Sequence, residues 1–540
     1  MGKLALYNGK IYVEKGVFAQ ALWAEDGVIR GIGNNEELPA EYHDTAIDCS
    51  GKTVVPGFND SHMHLLMTGI GMAQANIACA TSVEHLVEIG KAYLETHPQA
   101  ASRGIQAVGW NQDLFTGEKR LPTRWDLDQI SPDIPIIMER ICGHMAAVNS
   151  KVLELMGIHR GAPQFPGGTW EKDENGEPNG IITELTCNRA NAVFSPYSDD
   201  EYREMFLLAA NFALSRGVTS VQSNDVGTAP VSADTVFRVI RSIYEKELSP
   251  LRYRHQMSFS SPDAFARWAE SDKTQYLCEN GRLTLGPLKL FKDGSLGART
   301  ATMRQEYRDD PGNFGVEAVS AEEMDTFCAL ADRHNIQVVT HVIGDKAISD
   351  TVDSYEKILR EGKNPLRHGL IHCQITDWPL LERIGRNELQ VMVQPIFLDY
   401  DMHAVLPRCG KELSATSYAF KTLPELGAHL SLGTDSPVES CDPFANLYSA
   451  VTRKDHTGAP AEGFFPAECL DVADAVDAYS LGSAHAEFRE QDKGRLQPGY
   501  LADFVVLDTD IFTCDPMDIR LANPILTVVG GQVAWQKENL

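Results

Sequence analysis

Two histidines separated by one residue, His62 and His64, follow a short apolar run that ends in Pro56-Gly57. Alternate residues of a β-strand point to the same face, so the two imidazoles would project side by side. Neutral imidazole binds Zn, Fe, Ni or Cu, and three protein ligands around an open position are typical of catalytic zinc sites. The pair therefore predicts half of a metal site, with two ordinary loop histidines as the alternative.

Further polar residues stand where other apolar runs are interrupted or end. These residues are Lys289, His341, His372 and Asp435. Each has a structural alternative when it is taken alone: a hydrogen-bonded core histidine, a lysine whose stem packs on apolar surface, or an aspartate that begins a turn. Their repetition at the ends of successive runs favours one shared metal site.

Runs of this kind recur along the chain. They cover residues 53–60, 217–223, 251–259, 285–291, 336–341, 369–374, 389–395 and 429–433. Helices are predicted between them, for example over residues 201–216, 321–334 and 345–360. Eight buried strands with intervening helices predict an α/β fold of the (β/α)8 TIM-barrel type. Because the carboxyl ends of the strands of such a barrel face one active site, the candidate ligands would meet there.

The two ends of the chain contain short β-rich runs bounded by turn signals such as Asn8-Gly9 and Asp26-Gly27. These dipeptides favour tight β-hairpins. Neither end could easily bury a core alone. We therefore predict that residues 1–55 and 485–540 form one small β-sandwich and that residues 56–484 form the barrel.

The segment from about residue 75 to residue 200 is too long for one crossover connection. We predict that it is an insertion over the barrel mouth that shapes the substrate pocket. Candidate substrate contacts are Trp110 and His144 in this segment, and Gln374 and Gln394 near strand ends. A purely structural role is the alternative for each of them.

The composition excludes several classes of partner. Among 540 residues, 75 acidic residues outnumber 48 basic ones, which gives a net charge of −27 without any run of Lys or Arg. Nucleic acid and anionic membranes are therefore not expected partners. No window approaches the ~20 apolar residues of a membrane span, and the first residues lack a signal-peptide core. With 11 scattered cysteines and no C-x-x-C pair, we predict a cytoplasmic protein with reduced thiols that acts on a small molecule.

Four motifs resemble those of the amidohydrolase superfamily, in particular the branch that includes the N-substituted formamide deformylases. They are residues 56–64 (PGFNDSHMH), 289–297 (KLFKDGSLG), 433–438 (GTDSPV) and 498–507 (PGYLADFVVL). The resemblance covers essentially the whole chain. It implies a barrel with a β-sandwich, and a homodimer is a further expectation at family level.

The resemblance also implies a set of metal ligands for one or two divalent cations, with zinc as the expected metal. The set is His62, His64, His341, His372 and Asp435. In relatives with two metals a carboxylated lysine bridges the ions, and Lys289 matches that position. Lys292 fits less well because one strand end should direct only one of the two inward. Glu184 is a further candidate for a carboxylate at this site.

The predicted reaction is metal-dependent hydrolysis of a carbon–nitrogen bond of the amide type, other than a peptide bond. A bound divalent cation would lower the pKa of water from 15.7 towards ~7 and supply hydroxide at neutral pH. Asp435 would take the proton of the water and pass it to the leaving nitrogen. The same fold and metal would also suit a deaminase, a cyclic-amide hydrolase, or a lactone or ester hydrolase. A non-catalytic scaffold is a further alternative, although such a protein should have lost ligands.

Overall fold

The computed structural model describes residues 2–97, 100–142, 144–165 and 167–538. The chain divides into two compact units: residues 1–68 with 206–540 form the first, and residues 69–205 form the second. The second unit contains the whole segment 75–200, whose position over a barrel mouth stays a prediction. Among the residues described, no helix combines the length and the apolar character that crossing a bilayer requires.

The first 63 residues contribute eight strands to the first unit. They are β1 (Lys3–Tyr7), β2 (Lys10–Glu14), β3 (Val17–Ala19), β4 (Ala21–Glu25), β5 (Val28–Gly33), β6 (Ala46–Asp48), β7 (Thr53–Pro56) and β8 (Phe58–Met63). Helix α1 (Leu65–Met72) follows them.

The second unit is built on one six-stranded sheet with the order β13-β14-β12-β11-β10-β9. Its strands are β9 (Ala75–Asn76), β10 (Ile105–Trp110), β11 (Ile136–Arg140), β12 (Met145–Val148), β13 (Gly168–Lys172) and β14 (Pro178–Glu184). Its helices are α2 (Val83–Thr96), α3 (Ala100–Arg103), α4 (Arg124–Asp128), α5 (Ser150–Leu155) and α6 (Leu185–Asn191). Two separate clusters of buried apolar side chains give this unit a core of its own.

The rest of the chain returns to the first unit. Its strands are β15 (Val218–Val226), β16 (Arg252–Met257), β17 (Leu283–Phe291), β18 (Val338–Val342), β19 (Gly369–His372), β20 (Gln390–Val393), β21 (His429–Leu432), β22 (Phe504–Leu507), β23 (Pro524–Val529) and β24 (Gln532–Gln536). Its helices are α7 (Asp199–Ser215), α8 (Ala233–Glu245), α9 (Pro262–Glu270), α10 (Ala321–Arg333), α11 (Asp345–Glu356), α12 (Trp378–Arg386), α13 (Leu398–Cys409), α14 (Lys411–Ser414), α15 (Thr422–Glu425), α16 (Pro443–Thr452), α17 (Val472–Asp477) and α18 (Ser483–Ala486).

Eight parallel strands form a nearly closed barrel in the order β8, β15, β16, β17, β18, β19, β20, β21. Each predicted barrel strand is present, and neighbours in the chain are neighbours in the sheet. The predicted helices over 201–216, 321–334 and 345–360 correspond to α7, α10 and α11. The prediction of an α/β barrel is therefore confirmed.

The seam between β8 and β21 closes at the carboxyl ends of these two strands. The backbone N–H of Asp435 donates to the carbonyl of His62 at 2.8 Å, and the N–H of His64 donates to the carbonyl of Ser436 at 2.7 Å. Below this point the Asp60 carboxylate accepts hydrogen bonds from the backbone N–H and the hydroxyl of Thr434, at 3.1 and 2.6 Å. The seam thus brings the segment after β21 against the two histidines.

The predicted first strand, residues 53–60, is divided at Gly57 into β7 and β8. Strand β7 is not part of the barrel and pairs antiparallel with β22, with Val55 opposite Val505. A Cβ atom at Gly57 would lie 2.2 Å from the hydroxyl oxygen of Thr219, so the chain passes from one sheet to the other where only glycine fits. One continuous strand was therefore the wrong prediction.

Both chain termini meet in a six-stranded sheet of order β24-β23-β22-β7-β2-β3, and a four-stranded sheet of order β5-β4-β1-β6 accompanies it. One buried apolar cluster contains side chains from both sheets, among them Leu6, Val54 and Phe504. The predicted hairpin at Asp26-Gly27 is confirmed, since β4 and β5 pair across it. The hairpin at Asn8-Gly9 was wrong, because β1 and β2 belong to different sheets.

Candidate metal centre

At the seam between β8 and β21, the side chains of His62, His64 and Asp435 lie close together. The Nε2 atoms of His62 and His64 lie 3.3 and 3.2 Å from the same oxygen of Asp435, Oδ1. His62 and Asp435 are buried, with side chains 1% and 9% exposed, and the side chain of His64 is 12% exposed. These three residues are therefore close enough to bind one ion together.

Hydrogen bonds on the far side of each ring fix how these two histidines are protonated. The Nδ1–H of His62 donates to the side-chain oxygen of Gln256 at 2.6 Å. The Nδ1–H of His64 donates to the backbone carbonyl of Asn224, also at 2.6 Å. In its neutral form a histidine that donates through Nδ1 keeps a lone pair on Nε2. Both lone pairs therefore point to the side where Asp435 lies.

His341 and His372 lie beside this group, at the ends of β18 and β19. Their ring centroids are 4.5 Å apart, and the ring of His372 is 5.8 Å from that of His62. His372 donates through Nδ1 to the side-chain oxygen of Gln394 at 2.6 Å, which leaves its Nε2 for a ligand. His341 is reversed: its Nε2–H donates to the carbonyl of Gly294 at 3.0 Å, which leaves Nδ1.

Lys289 lies in β17, is 1% exposed, and has no carboxylate within ion-pair distance among the residues described. Its Nζ donates to the carbonyl of Leu290 at 3.3 Å and lies 3.8 Å from the centroid of the Phe291 ring. Burial lowers the pKa of Lys289 to about 7, against a partial opposing effect of Asp435 and Asp293. A substantial fraction of its amine is therefore neutral near pH 7.

Burial also controls the charge of the histidines. It lowers the pKa of His62 to about 4 and that of His341 to about 3, and it holds the pKa of His372 well below its usual range. For His64 burial also lowers the pKa, but the contact with Asp435, the charges of Asp435 and Asp225 and the hydrogen bond to Asn224 together outweigh burial and raise the pKa. Three of the four rings are thus neutral at pH 7, which is the form that binds metal ions.

Asp435 is the anionic member of the group. Burial alone would raise the pKa of its carboxyl, but the neighbouring imidazoles of His62, His64 and His372 together outweigh burial and hold the pKa well below its usual range. The backbone of Asp435 has φ of 58° and that of His372 has φ of 70°. Non-glycine residues seldom adopt such angles, and where they do, they are often at functional sites.

These residues fit a divalent transition-metal ion. The group offers imidazole nitrogens with defined lone pairs and an ionised carboxylate oxygen, which is the donor set that zinc and related ions prefer. Hydrogen-bonded partners behind the rings are typical of metal-binding histidines. The described part of the chain therefore contains a candidate metal centre at the carboxyl ends of the barrel strands.

The two predicted contact glutamines are both engaged by protein groups. The side chain of Gln394 accepts from His372, as described, and donates to the carbonyl of Met392 at 3.1 Å. The side chain of Gln374 donates to a carboxylate oxygen of Asp401 at 3.1 Å. Gln394 therefore lies behind a candidate ligand, and Gln374 belongs to a buried polar group with Asp401.

The other three predicted residues belong to the second unit. Trp110 is 1% exposed within the core of that unit, and its indole N–H donates to the carbonyl of Met138 at 2.8 Å. This placement matches its structural alternative, so Trp110 is a core side chain. His144 and Glu184 are exposed at one end of the sheet, with Nδ1 and Oε2 3.1 Å apart. They do not share a metal-binding group with other described residues.

Several residues with a part in this geometry were not identified from the sequence. Gln256 and Asn224 hold the first two histidines. Asp293 is buried and accepts hydrogen bonds from the backbone N–H groups of Thr302, Ile343 and Gly344. These bonds fix the loop that carries the carbonyl acceptor for His341. Asp293 does stand in the KLFKDGSLG motif, which is the one sequence signal that could have found it.

Comparisons with known proteins give one consistent result. A model of the amidohydrolase family matches residues 45–534. The chain is 32% identical over 546 residues to putative amidohydrolase YtcJ of Bacillus subtilis (strain 168), which covers 99% of this chain and 100% of that protein. It is 25% identical over 535 residues to N-substituted formamide deformylase of Arthrobacter pascens, which covers 96% and 95%. The crystal structure of an uncharacterized metal-dependent hydrolase from Pyrococcus horikoshii OT3 matches with a TM-score of 0.77 and 28% identity, over 95% of this chain and 99% of that one.

Proposed function

We propose that this chain, which belongs to the amidohydrolase family, is a hydrolase that cleaves an amide-type carbon–nitrogen bond of a small molecule. Family membership confirms the resemblance found in the sequence. The observation that carries the proposal is the convergence of His62, His64 and Asp435 at the carboxyl end of the barrel, with two Nε2 atoms 3.3 and 3.2 Å from one carboxylate oxygen.

We assign one or two divalent cations to this group, with zinc as the first metal to test. The proposed ligands are His62, His64, Lys289, His341, His372 and Asp435. These residues would hold the cation, and the chemistry that it would supply is that of a Lewis acid, which polarises a carbonyl and lowers the pKa of water towards ~7. The chain's own residues supply the remaining parts of the mechanism.

Asp435 is the proposed general base. Its carboxylate is ionised at neutral pH because His62 and His64 hold its pKa low. It would accept the proton of the attacking water and then donate that proton to the leaving nitrogen, so that the amine leaves neutral. Proton transfer of this kind typically contributes ~10²–10⁴-fold to a rate.

For Lys289 we propose carboxylation of the amine. Its Nζ would attack CO₂, form a carbamate and release one proton. The carbamate replaces a buried cation, which would repel metal ions, by an anion with two oxygen ligands. The lowered pKa of about 7 supports this proposal, since only the neutral amine can attack.

The proposed substrate class rests on a similar protein rather than on a contact within the site. The relative from Arthrobacter pascens is named for deformylation of N-substituted formamides, so formamides are the first amides to test. A deaminase, a cyclic-amide hydrolase, or a lactone or ester hydrolase would use the same group of ligands and stay as alternatives. A non-catalytic scaffold is the remote alternative.

The test combines metal removal with a defined substrate panel. Dialysis against a chelator should abolish hydrolysis of formamides and other amides, and Zn²⁺, Co²⁺ or Mn²⁺ should restore it. The Asp435→Asn variant keeps an oxygen ligand but cannot accept the proton, so at equal metal content its rate should fall ~10²–10⁴-fold. Amine release is measured by colorimetry and metal content by elemental analysis. Full activity without metal, or a rate within threefold of wild type for the metal-loaded variant, would contradict the proposal.

We further propose that the two terminal sheets form a β-sandwich, that the protein is cytoplasmic, and that it forms a homodimer. A small-molecule substrate remains the expected partner, with no nucleic acid and no membrane. Light scattering coupled to size-exclusion chromatography would test the dimer.

A further inference from the structure

Two buried glutamines contact ligand histidines from behind, with the same arrangement of atoms. In the first pair, Gln256 of β16 is fully buried and its Oε1 accepts the Nδ1–H of His62 at 2.6 Å. The other half of the amide is also fixed, because Nε2 donates to the carbonyl of Ser61 at 2.9 Å. Since the NH₂ group has its own acceptor, the oxygen must face the imidazole.

The second pair lies on the other side of the group. Gln394 is 3% exposed and its Oε1 accepts the Nδ1–H of His372 at 2.6 Å. Its Nε2 donates to the carbonyl of Met392 at 3.1 Å. A glutamine amide thus orients a candidate ligand histidine at each of two strand ends, Gln256 at β16 and Gln394 after β20.

We propose that Gln256 and Gln394 are positioning residues of the metal centre, which hold His62 and His372 in the tautomer and ring orientation that bind a cation through Nε2. This inference rests on the proposed metal-dependent function. The chemistry is that of a hydrogen-bond acceptor without charge. An amide oxygen fixes the imidazole as a carboxylate would, but it adds no negative charge to a buried site that already contains Asp435.

Gln256 also connects the two histidines of the first motif. The side-chain NH₂ of Asn224 donates to the backbone carbonyl of Gln256 at 3.0 Å, and the backbone carbonyl of Asn224 accepts from His64. Strands β15 and β16 therefore position both imidazoles through one continuous set of hydrogen bonds. A change at Gln256 acts on one ring directly and leaves the acceptor of the other in place.

The chain offers a matched control in Gln222 of β15. This glutamine is also fully buried in the barrel, and its Nε2 donates to the carbonyl of Ser483 at 2.9 Å. Among the residues described, none of its hydrogen bonds reaches a candidate ligand. Replacement by methionine keeps the length and apolar volume of either side chain and removes the amide. Gln256→Met and Gln222→Met therefore differ only in whether a ligand histidine loses its acceptor.

The experiment measures the affinity for Zn²⁺ by competition with a chromophoric chelator, using the full-length protein. Gln256→Met and Gln394→Met should each bind Zn²⁺ about 10- to 100-fold more weakly than wild type, the usual effect of removing such a partner. Gln222→Met should bind within threefold of wild type. Gln256→Glu keeps an acceptor for His62 but turns a second oxygen toward the carbonyl of Ser61, so it should restore the affinity only in part. Thermal unfolding of the chelated proteins separates folding defects from metal binding.

The outcomes are distinct. Equal Zn²⁺ affinities for wild type, Gln256→Met and Gln394→Met would refute the positioning role and leave the proposed function intact. An equal loss in Gln222→Met would refute it as well, since any buried amide would then matter. A wild-type protein without measurable affinity for Zn²⁺, Co²⁺ or Mn²⁺ would refute the metal-dependent function and this inference with it. If Gln256→Met fails to fold, Gln394→Met tests the same role on an independent ligand.

Discussion

The amine of Lys289 is a group whose charge is set by its surroundings. An ordinary lysine at pH 7 is neutral in roughly four molecules out of ten thousand. With a pKa of about 7, Lys289 is neutral in about half. The cause is burial in β17, where the amine has one carbonyl and one aromatic face as partners. A neutral amine is the form that reacts with CO₂, so the environment favours the proposed carbamate.

The prediction is that recovery of activity depends on bicarbonate and pH. After chelation at pH 6, where Lys289 is mostly protonated, metal alone should restore little activity. As the pH rises through about 7 the neutral amine becomes dominant, and added bicarbonate should speed recovery. With ¹³C-labelled bicarbonate, a carbamate resonance should appear in the spectrum of the wild type. If Lys289→Ala showed the same resonance, the carboxylate would belong to another residue. The same would follow if recovery of the wild-type activity did not depend on bicarbonate at any pH.

The sequence identified residues whose types are unusual where they stand. A histidine or aspartate at the end of an apolar run is noticeable without a structure. Gln256 was not noticeable in this way, because it follows Arg254 and His255 in a strand with several polar residues. Asn224 could not be found by side-chain type at all, since its contact with His64 is made by a backbone carbonyl that every residue has. Partners behind the ligands depend on register across strands, which one sequence does not contain.

At the scale of the elements, the seam between β8 and β21 positions the first part of the metal centre. Strands β8 and β21 are not paired by a regular set of backbone hydrogen bonds, and Asp60 links them instead. Its carboxylate accepts hydrogen bonds from the backbone N–H groups of His62 and Thr434 and from the hydroxyl of Thr434. It is fully buried. A buried acceptor with several donors is costly to lose, typically about 1–3 kcal/mol.

We predict that Asp60→Asn lowers both the free energy of unfolding, by about 1–3 kcal/mol, and the affinity for Zn²⁺. The amide has one acceptor oxygen in place of two, and its NH₂ group would face a donor of Thr434. The control is Asp126→Asn in α4 of the second unit, where Asp126 accepts from Thr123 and Arg120. That variant should lose stability and keep its Zn²⁺ affinity. Urea unfolding and chelator competition measure the two quantities, and unchanged metal affinity in Asp60→Asn would show that the seam does not position the ligands.

Most of the barrel strands were predictable because they are short, largely apolar runs with turn residues on both sides. The break at Gly57 was not predictable, since its neighbours Pro56 and Phe58 are both apolar and the two strands differ in the sheet that each one joins. The pairing of β1 and β2 failed for a related reason. Asn8-Gly9 provides a tight turn, but local turn chemistry does not say whether the two strands share a sheet.

At the scale of the whole molecule, the two ends of the chain complete one sheet. Strand β22 lies between β7 and β23, so the C-terminal strands cover apolar residues from the N-terminus. The shared cluster contains Leu6, Val54 and Phe504, each fully buried. This cluster takes its side chains from both terminal segments. The first unit therefore depends on contacts between residues about 450 positions apart in the sequence.

The last prediction tests this dependence at Phe504. Phe504→Ala removes a fully buried ring from the cluster between the terminal sheets, which typically costs about 3–5 kcal/mol. Val533→Ala in β24 is the control, because Val533 is 48% exposed and surface changes usually stay within ~0.5 kcal/mol. A truncation after residue 503 removes β22, β23 and β24 together and should leave no folded first unit, with loss of bound metal. Urea unfolding and metal analysis would follow all three variants. If the truncated protein unfolded at the same urea concentration as wild type and retained its metal, the terminal sheets would be dispensable, and the barrel would fold on its own core.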